Sequence, residues 1–333
     1  VNGLSISLRR ALLGLGSIAL AALLILLLIH FGRINWRLTL YQLQHASRGA
    51  FVKLLLLNCV LVYLSSEKWR SVDAALRRVS DPIPSRTASF AITSAGMALG
   101  LLLPVQLGMT AARTLGTLVY GSVLKRGTAG TLFEQSFDLL VVTILAFTSG
   151  LTWFFKGAGL TWTITAVAMT VLALLAAEPS IEHLRRLATL AAHAPMRQGR
   201  IGKIQQTLLN LRHSEVLNAS LARRLVMLSI ARFAVIVLMA GQVAEAIGVP
   251  IPLWSIAAAI PFVVIACLIA ITPGGLGVNE LTFATALSIF GTPFSLGAQW
   301  ALANRVLSAA SCILIGAFAA CTVGLKRLRS IHE

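Results

Sequence analysis

Thr272-Pro273-Gly274-Gly275-Leu276-Gly277-Val278-Asn279-Glu280 interrupts an apolar stretch that extends from Pro252 to Phe290. Proline removes a backbone donor, and glycine permits backbone angles that a helix forbids. The segment is therefore predicted to break a helix, leaving short apolar runs over Pro252–Ile271 and Leu276–Phe290. A helix restarting near Val278 would offer free N–H groups and the positive end of its dipole, a setting that suits a phosphate or carboxylate. Glu280 falls in the first turn of that helix, where an acid itself stabilises the dipole.

The rest of the chain says what solvent surrounds this break. Of 333 residues, 57 % are hydrophobic and 12 % charged, with a mean hydropathy of +0.85. A soluble domain keeps about a quarter of its residues charged. Several runs also reach the roughly 20 apolar residues that a spanning helix needs. Full spans are expected over Ala11–Phe31, Ala50–Ser65, Thr131–Thr152, Leu160–Ala177, Leu225–Ile247 and Leu296–Val323. Two shorter runs, Ala88–Gln106 and Met109–Val123, are separated only by Leu107-Gly108. The expectation is an all-α, polytopic membrane protein without a soluble domain, its first helix retained rather than cleaved as a signal peptide.

The net charge of +17 sits in short basic segments between apolar runs, with no aromatic residues interleaved as a base-stacking surface requires. Nucleic acid is excluded as a partner on that pattern. Basic loops mark the cytoplasmic side. Arg9 and Arg10, the segment from Lys68 to Arg86, the stretch Glu178–Arg224, and Lys326, Arg327 and Arg329 place both termini inside a bacterial inner membrane. Arg33, Arg37 and Arg48 dissent, lying on the expected outer face. The stretch from Ser180 to Arg224 alternates apolar and basic residues and reads as one or two surface helices, with a solvated linker as the alternative over Ala194–Gly202. Cys59, Cys267, Cys312 and Cys321 lie in apolar runs without a C-x-x-C pair, no histidines are spaced as metal ligands, and neither metal nor cofactor is expected. The six tryptophans lie near span ends and read as interfacial anchors.

Charge orientation works only if each pair of short runs returns to its own side as a re-entrant hairpin. Pro104-Val105-Gln106-Leu107-Gly108 and Pro273-Gly274-Gly275-Leu276-Gly277 share P-x-x-L-G. The first hairpin would enter from the cytoplasm and the second from outside, so the two halves form an inverted repeat. Paired interrupted helices in two halves point to a transporter's site. The chain accordingly divides into residues 1–49 (first helix and connection), 50–152 (first half), 153–224 (linking helix and amphipathic segment) and 225–333 (second half with a basic tail).

Of eleven acids, Glu134, Asp138, Glu245 and Glu280 sit inside expected spans, as do Arg113, Arg232 and Arg305 among the bases. A charge in hydrocarbon costs at least about 2.5–3.5 kcal/mol on insertion scales, so such residues pair or face a polar cavity. Glu134 and Asp138 are four apart and share a helix face. The candidate substrate-binding residues are Arg113, Glu134, Asp138, Pro273, Gly274, Gly275, Gly277, Asn279, Glu280 and Arg305. For Glu280 the alternative is structural, as a cap or an ion-pair partner of Arg305.

Leu103-Pro104-Val105-Gln106-Leu107-Gly108, Phe133-Glu134-Gln135-Ser136-Phe137-Asp138-Leu139-Leu140 and above all Pro273 to Glu280 resemble the transmembrane domain family of lysylphosphatidylglycerol synthases, also called flippase-like. The resemblance spans roughly Leu61 to Val323. It departs at Met109, where the family carries an acid, at Arg113, whose match to the family's nearby arginine is offset by one, and at Gln135, where the family commonly carries arginine. It implies a lipid flippase or a flippase-like fold. Lysyl transfer belongs to a separate soluble domain and is not implied, and no nucleophile–base pair points to an enzyme. The expected activity is translocation of an anionic phospholipid, aminoacyl lipid or glycolipid. The alternative is a non-transporting scaffold for a lipid-modifying glycosyl- or aminoacyl-transferase. Expected partners are membrane lipids with anionic headgroups and, on the alternative, that transferase; a homodimer is compatible with either.

Overall fold

The structure, a computed structural model, describes residues 2–32, 36–76, 84–119, 124–157, 159–193, 218–270 and 272–332. Among these the chain forms α-helices and one 3-10 turn, with no strand. In chain order the helices are α1 (Asn2–Gly32), α2 (Trp36–Gln44), α3 (Arg48–Ala75), α4 (Arg86–Leu102), α5 (Val105–Val119), α6 (Leu124–Phe154), α7 (Gly159–His193), α8 (Ala219–Ile247), α9 (Leu253–Ile269), α10 (Val278–Ile289) and α11 (Phe294–His332). Stretches of α3, α6, α7, α8 and α11 are long and apolar enough to cross a membrane. Outward-facing Leu56, Leu115, Phe147, Leu175, Ile269 and Phe318 are all exposed, a surface that water would not tolerate over so wide an area. The bilayer is its solvent.

Ion pairs fix which ends of these helices lie together. At one end, here the lower, Glu67 of α3 meets Arg86 at the start of α4 and Arg224 at the start of α8, at 3.3 and 3.7 Å. At the upper end Lys53 of α3 meets Glu245 of α8 at 3.2 Å. Helices α3 and α8 are thus antiparallel neighbours, and their apolar faces supply much of the buried core.

Helices α4 and α5 form a hairpin that rises from the lower end. A Cβ on Gly108 would meet Gly100 Cα at 2.7 Å, and one on Gly96 would meet Ala112 at 3.2 Å, so the two helices run antiparallel at close range. Small residues allow this approach. Helices α9 and α10 form a second hairpin that descends from the upper end, where Trp254 packs on Phe290 at 6.0 Å and against Gly159 at the start of α7. The tips of the two hairpins meet inside the bundle.

Several boundaries differ from those expected. The first break falls at Leu103-Pro104, not at Leu107-Gly108. Proline drives the residue before it out of the helical region, and Leu103 is extended with φ −109° and ψ 164°. Gly108 stays helical and serves the contact with α4. Helix α3 continues ten residues past Ser65, because the polar run Ser65–Arg70 carries charges that find partners within the bundle. Helix α7 runs unbroken through Pro179 to His193, so the first part of the expected surface segment extends a span rather than starting a separate helix. Residues 194–217 lie outside the described residues. Of the tryptophans, Trp69 and Trp300 are wholly buried and Trp162 is 7 % exposed; Trp153, at 59 %, has the exposure of an anchor. The four cysteines are free thiols, three half-buried and Cys321 exposed.

Candidate functional site

A cavity of about 510 Å³ lies between α5, α6, α8 and α9. Leu132, Leu139 and Leu268 line it and are themselves outward-facing, so it opens through the apolar side of the bundle. Its polar wall holds Arg113 from α5, Glu134, Gln135 and Asp138 from α6, and Arg232 from α8. The one-turn spacing of Glu134 and Asp138 brings both to this wall, as a helix requires.

Each acid is paired. Arg113 Nη1 donates to Glu134, both residues about 1 % exposed. Its Nη2 donates to the Ser65 carbonyl at 3.0 Å, and its guanidinium lies 5.6 Å from the centroid of the Trp69 ring, within cation–π range. Asp138 takes two cations: Lys68 Nζ at 2.6 Å and Arg232 Nη1. Lys68 is wholly buried. Among the described residues three cations thus face two carboxylates, one positive charge in excess.

Above this cluster the hairpin tips join. The Gly274 N–H donates to the Leu103 carbonyl at 2.9 Å. Arg305 of α11 donates through Nη1 to the Gly274 carbonyl at 2.8 Å, and its Nε lies 3.6 Å from Glu280 Oε1. Glu280 Oε2 accepts from the Gly277 N–H at 2.7 Å. Gly274, Gly275 and Gly277 have φ of 57, 69 and 81°, values costly for any residue with a Cβ. Gly277 also lets α1 approach, since a Cβ there would meet Leu24 Cβ at 2.5 Å. Thr272 Oγ1 and Asn279 Oδ1 are buried at this junction without a hydrogen-bond partner.

The residues singled out from sequence therefore fall into two groups. Arg113, Glu134 and Asp138 share the cavity; Pro273, Gly274, Gly275, Gly277, Asn279, Glu280 and Arg305 build the tip junction. The anion at the N-terminus of α10 is Glu280's own carboxylate, which serves as both cap and partner of Arg305. Glu245 belongs to neither group: its side chain is 54 % exposed at the upper end of α8. The sequence placed Lys68 in a cytoplasmic loop and Trp69 among interfacial anchors, but both are buried in α3 beside the cavity's charged wall; Arg232 stood among the span bases without a role. The signal available was arithmetic, since two acids on one face of α6 require more than Arg113 alone.

A family model described as the lysylphosphatidylglycerol synthase TM region matches residues 14–316. The chain belongs to this family. The match covers every helix that contributes to the cavity and the tip junction. Met109, Arg113 and Gln135, the departures from the family's pattern, all line the cavity. No curated protein and no solved structure matches the chain.

Proposed function

We propose that this protein moves an amphipathic lipid between leaflets, acting as a transporter and not as an enzyme. One observation carries the reading: a buried, charge-lined cavity opens through the lipid-facing side of the bundle, next to the junction of two hairpins that enter from opposite ends. A headgroup held in such a cavity would be shielded from hydrocarbon while its acyl chains stayed in the bilayer. Backbone that is not helical survives at membrane depth only where protein or water satisfies it, and the Leu103–Gly274 bond and Arg305 supply that satisfaction.

On this reading each hairpin is re-entrant, and rocking one against the other would expose the cavity to alternate leaflets. The lower end carries Arg70, Arg86, Arg223 and Arg224 around Glu67 and Glu178, which supports a cytoplasmic placement under the positive-inside rule and suits a bacterial inner membrane. The test is a leaflet-exposure assay in vesicles with labelled phospholipids and polyprenyl-phosphate sugars, comparing wild type with empty liposomes. Lipid movement above the empty-liposome rate is expected. Wild type matching empty liposomes for every lipid and gradient would replace this reading with that of a scaffold for a lipid-modifying transferase.

A further inference from the structure

We propose that Glu280 is a proton-binding site and that a proton on it unlocks the junction of the two hairpin tips, coupling lipid movement to the proton gradient. The coupling rests on the transport reading above; the site and its effect on the junction do not.

Three observations carry the inference. The first is a continuous chain of contacts. The Leu103 carbonyl accepts from the Gly274 N–H, and the Gly274 carbonyl accepts from Arg305 Nη1. Arg305 Nε faces Glu280 Oε1, and Glu280 Oε2 accepts from the Gly277 N–H. The chain links the first hairpin, α11 and the second hairpin, so a charge lost at Glu280 is felt at the bond between the tips.

The second is that the carboxylate is only half held. Glu280 is 1 % exposed, and its Oε1 has no hydrogen-bond partner. Arg305 Nε stands 3.6 Å away, beyond hydrogen-bond reach. A buried carboxylate oxygen without a donor is costly. Taking a proton from water converts Oε1 to a hydroxyl and removes that cost.

The third is that acceptors for this hydroxyl are in place. A protonated carboxyl is an O–H donor. Thr272 Oγ1 and Asn279 Oδ1, at the same junction, are buried and have no partner. An ionised Glu280, which has no donor, leaves them empty; the neutral acid fills one.

The groups around Glu280 set the consequence. Arg305 of α11 and Cys267 of α9 are the titratable groups that face it. Helix α1 presents Ala21 and Leu24 to the neighbouring Gly277, and the first hairpin presents the backbone of Gly100 and Leu101 to Gly274. Once Glu280 is neutral, Arg305, its side chain 20 % exposed, has no anionic partner among the described residues. An unpaired buried charge is strongly unfavourable. Arg305 relieves it by turning to water, which surrenders the Gly274 carbonyl and loosens the Leu103–Gly274 bond. Returning the proton to water on the other side restores the carboxylate and recloses the junction. Each cycle moves one proton across and consumes nothing else.

The experiment places the full chain, its native cysteines replaced by alanine, in phosphatidylcholine nanodiscs. Spin labels on Leu102→Cys and Ile269→Cys, exposed positions at the tips of the two hairpins, report the distance between them. From about pH 9 down to about pH 5 a second, longer distance should gain population, by up to about tenfold per pH unit, the limit for one proton. Glu280→Gln, which mimics the neutral acid, should show the longer distance at every pH. Glu280→Asp, with a shorter side chain, should keep the transition and displace its midpoint. A transition that survives Glu280→Gln overturns the inference, as does one driven by sodium at constant pH. Should Glu280→Gln fail to fold, a Glu280→Asp midpoint equal to that of wild type overturns it and a displaced one upholds it. In sealed vesicles an imposed pH gradient should speed lipid movement by wild type and leave Glu280→Gln unaffected. Lipid movement that ignores the gradient overturns the coupling and leaves the transport reading standing. Opening on acidification by a protein that moves no lipid does the reverse.

Discussion

Leu103 and Gly274, 171 positions apart in the chain, are joined by a backbone hydrogen bond of 2.9 Å between their helix breaks. The bond exists because each break frees a group of the right kind. Pro104 forces Leu103 out of helical geometry, and its carbonyl lies at the C-terminal end of α4, where acceptors are left over. Gly274 takes a left-handed angle that turns its N–H away from its own helix. No side chain makes the bond, but one side chain braces it: Arg305 donates to the Gly274 carbonyl and stands 3.6 Å from Glu280.

That brace gives a measurable coupling. Glu280→Gln keeps an oxygen that can accept from the Gly277 N–H but removes the charge facing Arg305. It should lower stability by about 1–3 kcal/mol, the range for a charge-assisted contact. Arg305→Gln should cost a similar amount, and the double variant less than the two together, with a coupling of at least about 0.5 kcal/mol. Thermal or denaturant unfolding of the four proteins in one detergent checks this. Strict additivity would mean that the two side chains do not interact.

The same substitution should have opposite effects at two glycines. At Gly108 an added Cβ would meet Gly100 Cα at 2.7 Å, whereas at Gly150 nothing lies within 4 Å. Gly108→Ala must push α5 away from α4 and should destabilise by about 1–3 kcal/mol, the usual cost of overpacking. Gly150→Ala meets open space in the interior of α6 and should be neutral or stabilising by up to about 1 kcal/mol. Parallel melting curves decide, and a Gly108→Ala protein as stable as Gly150→Ala would refute the close hairpin.

Asp138 and Lys68 should not be equivalent, although they are partners. Removing Lys68 leaves Asp138 paired with Arg232, but removing Asp138 strands two cations in the bundle. Breaking a buried pair from the uncompensated side costs about 3–5 kcal/mol. Asp138→Ala should therefore approach that figure, while Lys68→Met, which replaces a wholly buried chain by an apolar one of similar length, should cost clearly less. Expression yield and melting temperature of the two variants give the ranking.

Much of this arrangement was legible in the sequence because its causes are local. Pro104, Pro273 and the three glycines after it act on their own backbone, and the shared P-x-x-L-G pattern showed that the breaks are paired. Glu280 could be placed in a first turn by counting. Lys68 could not be placed, since Ser65-Ser66-Glu67-Lys68-Trp69-Arg70 has the composition of a loop and becomes helical only through partners on α6 and α8. The end of the span at Ala177 differs for the converse reason. The polar composition from Glu178 onward points to a separate surface segment, but α7 continues through Pro179 to His193. The first break lies one turn before the expected Leu107-Gly108 separation, because Pro104 acts on Leu103 while Gly108 stays in the helix as a small residue against Gly100.

The two hairpins point in opposite directions, so their feet lie at opposite ends of the bundle. Thr87 lies at the foot of the first hairpin and Ser295 just beyond the foot of the second, and both are exposed. Ion pairs place Arg86 at the lower end with Glu67, while Trp254 and Phe290 pack together at the upper end. If the bundle crosses the bilayer once from lower to upper end, the two positions face different compartments. Cysteine introduced singly at Thr87 or Ser295, in a protein whose four native cysteines are replaced by serine or alanine, should react with an impermeant maleimide from opposite sides of sealed vesicles. The positive-inside rule adds a direction: Thr87, beside the arginine-rich lower end, should label from the cytoplasmic side and Ser295 from the other. Reaction of both from one side would remove the inverted arrangement, and with it the route by which a single cavity could serve two leaflets.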